Sequence, residues 1–169
     1  MPLTQQTGPA FDAWLERRRA LGQDKKDEIW EGVYHVAPHE HARNGRIAWR
    51  LGRLLQDRAD AAGLEPGGSF NMGQPRDFRV PDLGYHRASE SSLYMPTAAI
   101  VVEVLSPRDE TFEKFDYYAA RGVEEVWVLD PPARTVRIWE LRSGVLEPVA
   151  ASSLLSVAAA EVQAQLDWP

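Results

Sequence analysis

The sequence predicts an α/β (α+β) fold, a mixed β-sheet flanked by helices. Residues 98–105 (AAIVVEVL) form a nearly continuous apolar run, the pattern of a central strand covered on both faces. A second buried run follows at 124–130 (EEVWVLD), and the stretch between, 110–121 (ETFEKFDYYAAR), reads as a helix. Strand, helix, strand in that order suggests a right-handed crossover with parallel pairing. In residues 41–61, Ile47, Leu51, Leu54 and Leu55 recur at helical spacing. At 169 residues the chain fits one domain, 1–169, with residues 1–9 expected as a flexible tail.

The elements can be justified in order. Residues 10–21 (AFDAWLERRRAL) predict a short amphipathic helix with Phe11, Trp14, Leu15 and Leu21 on one face, ended by Gly22. Residues 28–37 (EIWEGVYHVA) mix β-branched and aromatic residues with polar ones, giving a strand or hairpin that Pro38 breaks. In the helix over 41–61, Arg43, Arg46, Arg50 and Arg53 stand at steps of three, four and three and line a separate face, and Gly63 follows as a stop. The Gly-rich stretch 64–80 predicts a hairpin leading into a strand at 78–86. Ser106 and Pro107 end the apolar strand, Asp109 caps the helix after it, and Gly122 terminates that helix. Pro131 and Pro132 turn the chain into a further strand, 135–141 (TVRIWEL).

Composition narrows the function classes. The chain is 44% hydrophobic and 26% charged, which excludes disorder by composition. No apolar run approaches the roughly 18 residues of a membrane span, and Met1 to Ala10 lack the apolar stretch of a signal peptide. A soluble, cytoplasmic protein without a membrane partner is expected. The absence of cysteine excludes disulfides and thiolate zinc sites. A metal would have to be held by Asp, Glu, His or carbonyl oxygens, and carboxylate sites suit Mg²⁺ or Mn²⁺. The net charge of −6 argues against a nonspecific nucleic-acid coat. Yet residues 41–60 carry five arginines against Asp57 and Asp60, a local +3.

Glu103 is the chemical anomaly, because it interrupts Ile100-Val101-Val102-Glu103-Val104-Leu105. A carboxylate in a buried strand is costly unless paired, protonated or metal-bound. Alternation puts it with Val101 and Leu105 on one sheet face. An ordinary ion pair, with an arginine such as Arg79, would also explain it. Asp82 follows Val80-Pro81, 21 positions earlier, and a hairpin-like return would bring the two acids together. Like charges side by side repel unless a cation or proton intervenes. With the backbone carbonyl of Val104 they would form an oxygen-rich Mg²⁺ site. Asp82 could equally be a turn residue after proline. Lys114 is the only lysine in the last 143 residues. It could place a point charge on a phosphate or simply pair with Glu110 one helical turn away.

Taken together, these residues resemble a known pattern. Val80-Pro81-Asp82, the stretch Val102-Glu103-Val104-Leu105-Ser106-Pro107, Lys114 with Tyr117 or Tyr118, Gly122-Val123, and Val126-Trp127-Val128-Leu129-Asp130-Pro131 look like the Uma-type family of restriction endonuclease-like proteins. That family lies within the PD-(D/E)XK nuclease superfamily. Glu28-Ile29-Trp30-Glu31-Gly32 is similar to its first acidic strand, and Pro38 with His41 to its entry into the long helix. The resemblance spans about residues 11 to 141.

It implies a restriction endonuclease-like fold, Mg²⁺-dependent (or Mn²⁺-dependent) hydrolysis of DNA, and a homodimer. Asp82 and Glu103 would be the metal ligands, with Glu28 or Glu31 as a further carboxylate. Leu105 stands where the superfamily name places lysine, and Lys114 fits the family's substitute from the next helix. His41 would be a helix N-cap neighbour, a phosphate contact or a surface residue. The arginine face, Arg43, Arg46, Arg50 and Arg53, would contact the DNA backbone or simply be solvated. A non-catalytic nucleic-acid or protein-binding module is the alternative from another class.

Overall fold

The two apolar strands lie side by side at the centre of a six-stranded sheet. The computed structural model describes residues 8–37, 42–87, 92–107 and 110–169. Its helices are α1 (Pro9–Ala20), α2 (Ala42–Ala61), α3 (Phe115–Ala120) and α4 (Ala159–Gln165). Its strands are β1 (Glu28–Trp30), β2 (Val33–His35), β3 (Glu65–Gly67), β4 (Asn71–Gln74), β5 (Asp77–Arg79), β6 (Leu83–His86), β7 (Tyr94–Met95), β8 (Ile100–Val104), β9 (Glu125–Asp130), β10 (Thr135–Arg142), β11 (Val145–Val149), β12 (Ala151–Ser152) and β13 (Val157–Ala158).

The large sheet runs β11-β10-β9-β8-β6-β3. Strands β8 and β9 pair in parallel, from Ile100↔Glu125 to Val104↔Leu129, and α3 is the crossover between them. The other neighbours in this sheet are antiparallel. A smaller sheet, β2-β1-β5-β4-β7, carries the N-terminal hairpin.

Alternation along β8 divides the core in two. Ile100, Val102 and Val104 join Ile47, Leu51 and Leu55 of α2, with Leu155 and Val162 from the C-terminal segment. Val101 faces the other way, among Met72, Tyr118, Val123, Val126 and Val128. All five β8 residues are buried. Each large aliphatic side chain removed from water contributes roughly 1.5–3 kcal/mol. With both sheet faces covered, a continuous apolar strand is the stable solution, and Glu103 has to find its partners inside the protein.

The expected strand over 78–86 is two strands in different sheets. Pro81 has no N–H to give to a ladder. The Val80 N–H goes instead to Glu28 Oε1 at 2.7 Å, and β5 ends there. The helix over 110–121 starts as a 3₁₀ turn, Thr111–Lys114, before α3. Its expected cap, Asp109, lies outside the described residues, as do Pro38 and residues 1–7 of the expected tail.

Helix α1 forms where expected, but it buries none of its residues, and Trp14 and Leu21 are exposed. Its anchors are polar and aromatic. Arg18 pairs with Asp27 at 2.8 Å, and Phe11 stacks on Trp14 and meets Tyr34 edge-on. Strands β11 to β13 and helix α4 add to the expected elements. Fully buried Glu125 fastens this C-terminal part, accepting the Ser153 and Leu154 N–H groups at 2.9 and 3.1 Å. Among the described residues no helix is long and apolar enough to cross a membrane.

Candidate active site

Strands β6 and β8 part company at Asp82, and the site lies in the fork. The Asp82 N–H still donates to Val102 O at 3.1 Å, but at Pro81 the chain turns away. The Val104 N–H faces the same edge and would lose its strand partner. Asp82 Oδ2 accepts it at 2.9 Å, so the carboxylate replaces the missing ladder. Asp82 Oδ1 accepts from Lys26 Nζ at 3.0 Å.

The Glu103 side chain lies on the α3 face of β8 and is buried. Lys114, at the end of the 3₁₀ turn, and Tyr118, four residues on, share one helical face. Both donate to Glu103 Oε1, Lys114 at 3.1 Å. Among the described residues no donor reaches Oε2. Lys114 also donates to Glu28 Oε1 at 2.9 Å. Glu28, buried on β1, accepts the Trp30 indole N–H on Oε2 as well. The result is one ammonium shared by two buried carboxylates, with a third acid close by.

The electrostatics follow from that count. The Glu103 carboxyl is pushed up to about 7, chiefly by burial; Lys114 opposes the rise, while Asp82 and Glu28 add to it. Burial alone would depress Lys114, but Glu103 and Glu28 more than reverse this and hold its amine above the ordinary value. Lys114 therefore stays charged. Burial, then the neighbouring Glu103 and Glu28, keep the Tyr118 phenol well above its usual range, so it remains a donor.

Lys114 is therefore not the surface partner of Glu110, which instead meets His35 Nδ1 at 3.1 Å. Nor is Arg79 the partner of Glu103: it donates to Ile29 O and pairs with Asp77 at 3.1 Å. Of the two N-terminal acids, only Glu28 reaches the cluster. Glu31 is exposed at the β1–β2 turn. His41 lies outside the described residues.

The arginines of α2 have separate surroundings. Arg50 is tied to Asp167 at 3.2 Å, Arg53 lies over the Trp49 ring at 4.8 Å, Arg46 is exposed, and Arg43 is half-buried.

Three residues here carried no signal in the sequence: Lys26, Asn44 and Trp49. Asn44, buried near the start of α2, donates to Ser106 Oγ at 2.8 Å and to Val104 O at 3.4 Å. Among the described residues its own Oδ1 is buried without a hydrogen-bond partner. Lys26 and Trp49 border a cleft of about 650 Å³ between α2 and residues 66–69, with Asp82 and Leu83 in its wall. Nothing in local periodicity links Lys26 to a carboxylate 56 residues away; only the fold does.

Among the described residues no three His, Cys, Asp or Glu side chains gather into a ready metal cage. The donors at the fork are Asp82, Glu103 Oε2 and the Val104 carbonyl, beside the orphaned Asn44 oxygen. This all-oxygen set fits a hard divalent cation that keeps several waters, as Mg²⁺ does. An unpartnered buried oxygen is what such a cation or its water would satisfy.

A mixed sheet flanked by helices, with β8 and β9 parallel at its centre, is the architecture of the restriction endonuclease-like fold. The crystal structure of "a putative nuclease belonging to DUF820" from Anabaena variabilis has the same fold, with a TM-score of 0.67. The two are 14% identical, over 83% of this chain and 90% of that one. Residues 10–168 match the model of the Uma2 family, described as "Putative restriction endonuclease", and the chain belongs to that family. No curated protein matches it.

Proposed function

We propose that this protein is a metal-dependent endonuclease that hydrolyses phosphodiester bonds of DNA. The observation that carries the reading is the fork itself. Asp82 caps the Val104 N–H one residue beyond Glu103, so two acids and one carbonyl converge from adjacent chain segments. Asp82, Glu103 Oε2 and the Val104 carbonyl would hold Mg²⁺ or Mn²⁺. A bound cation of this kind supplies Lewis acidity for phosphodiester hydrolysis.

The chain's own residues do the rest. Lys114 is buried between Glu28 and Glu103, so it acts as a positioning residue that fixes Glu103 and offsets its charge. Tyr118 fixes the same oxygen from the next turn. Lys26, half-exposed at the cleft, is the ammonium with access to a phosphate. Exposed Arg46 and Arg53 supply backbone contacts whose strength falls with salt. In the reaction a water oxygen attacks phosphorus, one P–O ester bond breaks, and the leaving oxygen takes up a proton. The family resemblance adds a homodimer to the proposal.

Nicking of supercoiled plasmid in Mg²⁺ or Mn²⁺ tests the reading. Asp82→Ala and Glu103→Ala are each expected to lose activity, and chelation is expected to silence the wild type. Undiminished nicking by either variant refutes the assignment.

One observation favours a non-catalytic nucleic-acid or protein-binding module: Lys26 already sits on Asp82, where a metal would have to displace it. Calorimetric titration decides, since such a module would take up neither Mg²⁺ nor Mn²⁺.

A further inference from the structure

The cleft beside Asp82 has features that metal binding does not explain. Its floor is the side of α2 where Gly45, Ala48 and Gly52 present almost no side chain. A Cβ placed on Gly52 would meet only Leu83 Cδ1, at 3.9 Å, so the helix backbone there is open to a flat group. Trp49 stands on the rim, 62% exposed, with the Arg53 guanidinium over its ring. With Arg53 over one face of the indole, the other face is available for a flat group to stack on. Lys26 lines the same cleft next to Asp82. At about 650 Å³ the space falls within the ~300–1,000 Å³ of small-ligand sites.

A flat aromatic ring with a stacked cation, beside an ammonium, is the chemistry that recognises a nucleobase and its phosphate. Bases stack on aromatic side chains and on arginine planes, and they do so without regard to sequence. In an intact duplex the base faces are covered by their neighbours, so a base enters a cleft of this kind only when it is unpaired or flipped out.

We propose that the cleft binds one unpaired nucleobase stacked on Trp49, with Lys26 and Arg53 on the flanking phosphates, so that the preferred substrate is single-stranded or locally unpaired nucleic acid. The inference rests on the nuclease reading for its purpose but not for its test.

The experiment is fluorescence anisotropy with a labelled thirty-residue oligothymidylate and with the duplex it forms with oligoadenylate, in metal-free buffer at moderate salt in the cold, where the duplex stays paired. Wild type is expected to bind the single strand more tightly than the duplex. Trp49→Ala is expected to weaken single-strand binding roughly tenfold or more, from the usual worth of one stacked base. Trp49→Phe should retain most of it. Gly52→Leu fills the cleft at a position with room for a side chain and should lose affinity like Trp49→Ala; circular dichroism checks that each variant is folded. Equal binding by Trp49→Ala and wild type, preference for the duplex, or no single-strand binding by wild type would each overturn the inference. The outcome is separable from the nuclease reading, which stands or falls on Asp82-dependent plasmid nicking.

Discussion

Lys114 Nζ lies 2.9 Å from Glu28 Oε1, an ion pair between residues 86 apart in the chain that joins the N-terminal hairpin to the helix after β8. The same ammonium serves Glu103, so its loss strands two buried carboxylates at once. Removing one partner of a buried pair typically costs about 3–5 kcal/mol. Lys114→Met is expected to destabilise by at least that order, read from urea unfolding. Glu103→Gln leaves Lys114 paired with Glu28 and should cost far less. Equal costs for the two substitutions would show that the ammonium does not hold the cluster together.

Lys26 differs from Lys114 in exposure and therefore in effect. Its pair with Asp82 is partly solvated, and such pairs contribute about 0–1 kcal/mol. Lys26→Ala should leave the unfolding midpoint nearly unchanged. It should tighten Mn²⁺ binding several-fold in calorimetry, because Lys26 competes with the cation for Asp82 Oδ1. Weaker Mn²⁺ binding would mean that Lys26 supports the metal rather than opposing it.

Gly73 shows where the small sheet tolerates nothing larger. Its φ is +131°, and an added Cβ would lie 2.1 Å from Tyr117 Oη and 2.3 Å from Asp77 O. The Tyr117 hydroxyl is held there by donation to Met72 O and Asp77 O. Gly73→Ala is therefore expected to lose about 2 kcal/mol or more, through overpacking and backbone strain. Gly52→Ala, on an open helix face, should gain up to about 1 kcal/mol. Thermal melts of the two variants should move in opposite directions.

Asp77 gives stability a pH dependence. Partial burial pushes its carboxyl up, but the Glu31 N–H and Arg79 with Arg121 more than offset this and hold it below the ordinary 3.8. A carboxyl lowered by folding contributes stability that is fully present above its unfolded value and is lost as pH falls through the folded one. Wild type should exceed Asp77→Asn in stability at pH 7, and the gap should close below about pH 4. A gap that is constant with pH would show that Asp77 acts only through packing.

Legibility in the sequence followed physical cause. Glu103 stood out because an acid in an apolar strand is anomalous on its own, and the parallel β8–α3–β9 unit followed from two buried runs around a helix. Asp82 gained weight from its pairing with Glu103 and from the family pattern. Lys26 and Asn44 gave no sign, because their roles depend on contacts 56 and 60 residues away. The split at Pro81 was hidden because Phe78, Val80 and Leu83 read alike in either sheet. Helix α1 looked amphipathic, yet its aromatic residues cover one another and Tyr34 rather than a core. The C-terminal strands are two to five residues long, too short for a period to register.

The most direct measurement is the rate at which Glu103→Gln nicks supercoiled plasmid in Mn²⁺, relative to wild type. The substitution keeps the side chain's shape and removes its charge, so folding is preserved while a metal ligand is lost. A fall of about a hundredfold or more is the expected result, consistent with several kcal/mol of transition-state stabilisation from the metal. A rate within twofold of wild type would contradict the assignment of Glu103 as a ligand, and with it the proposed site.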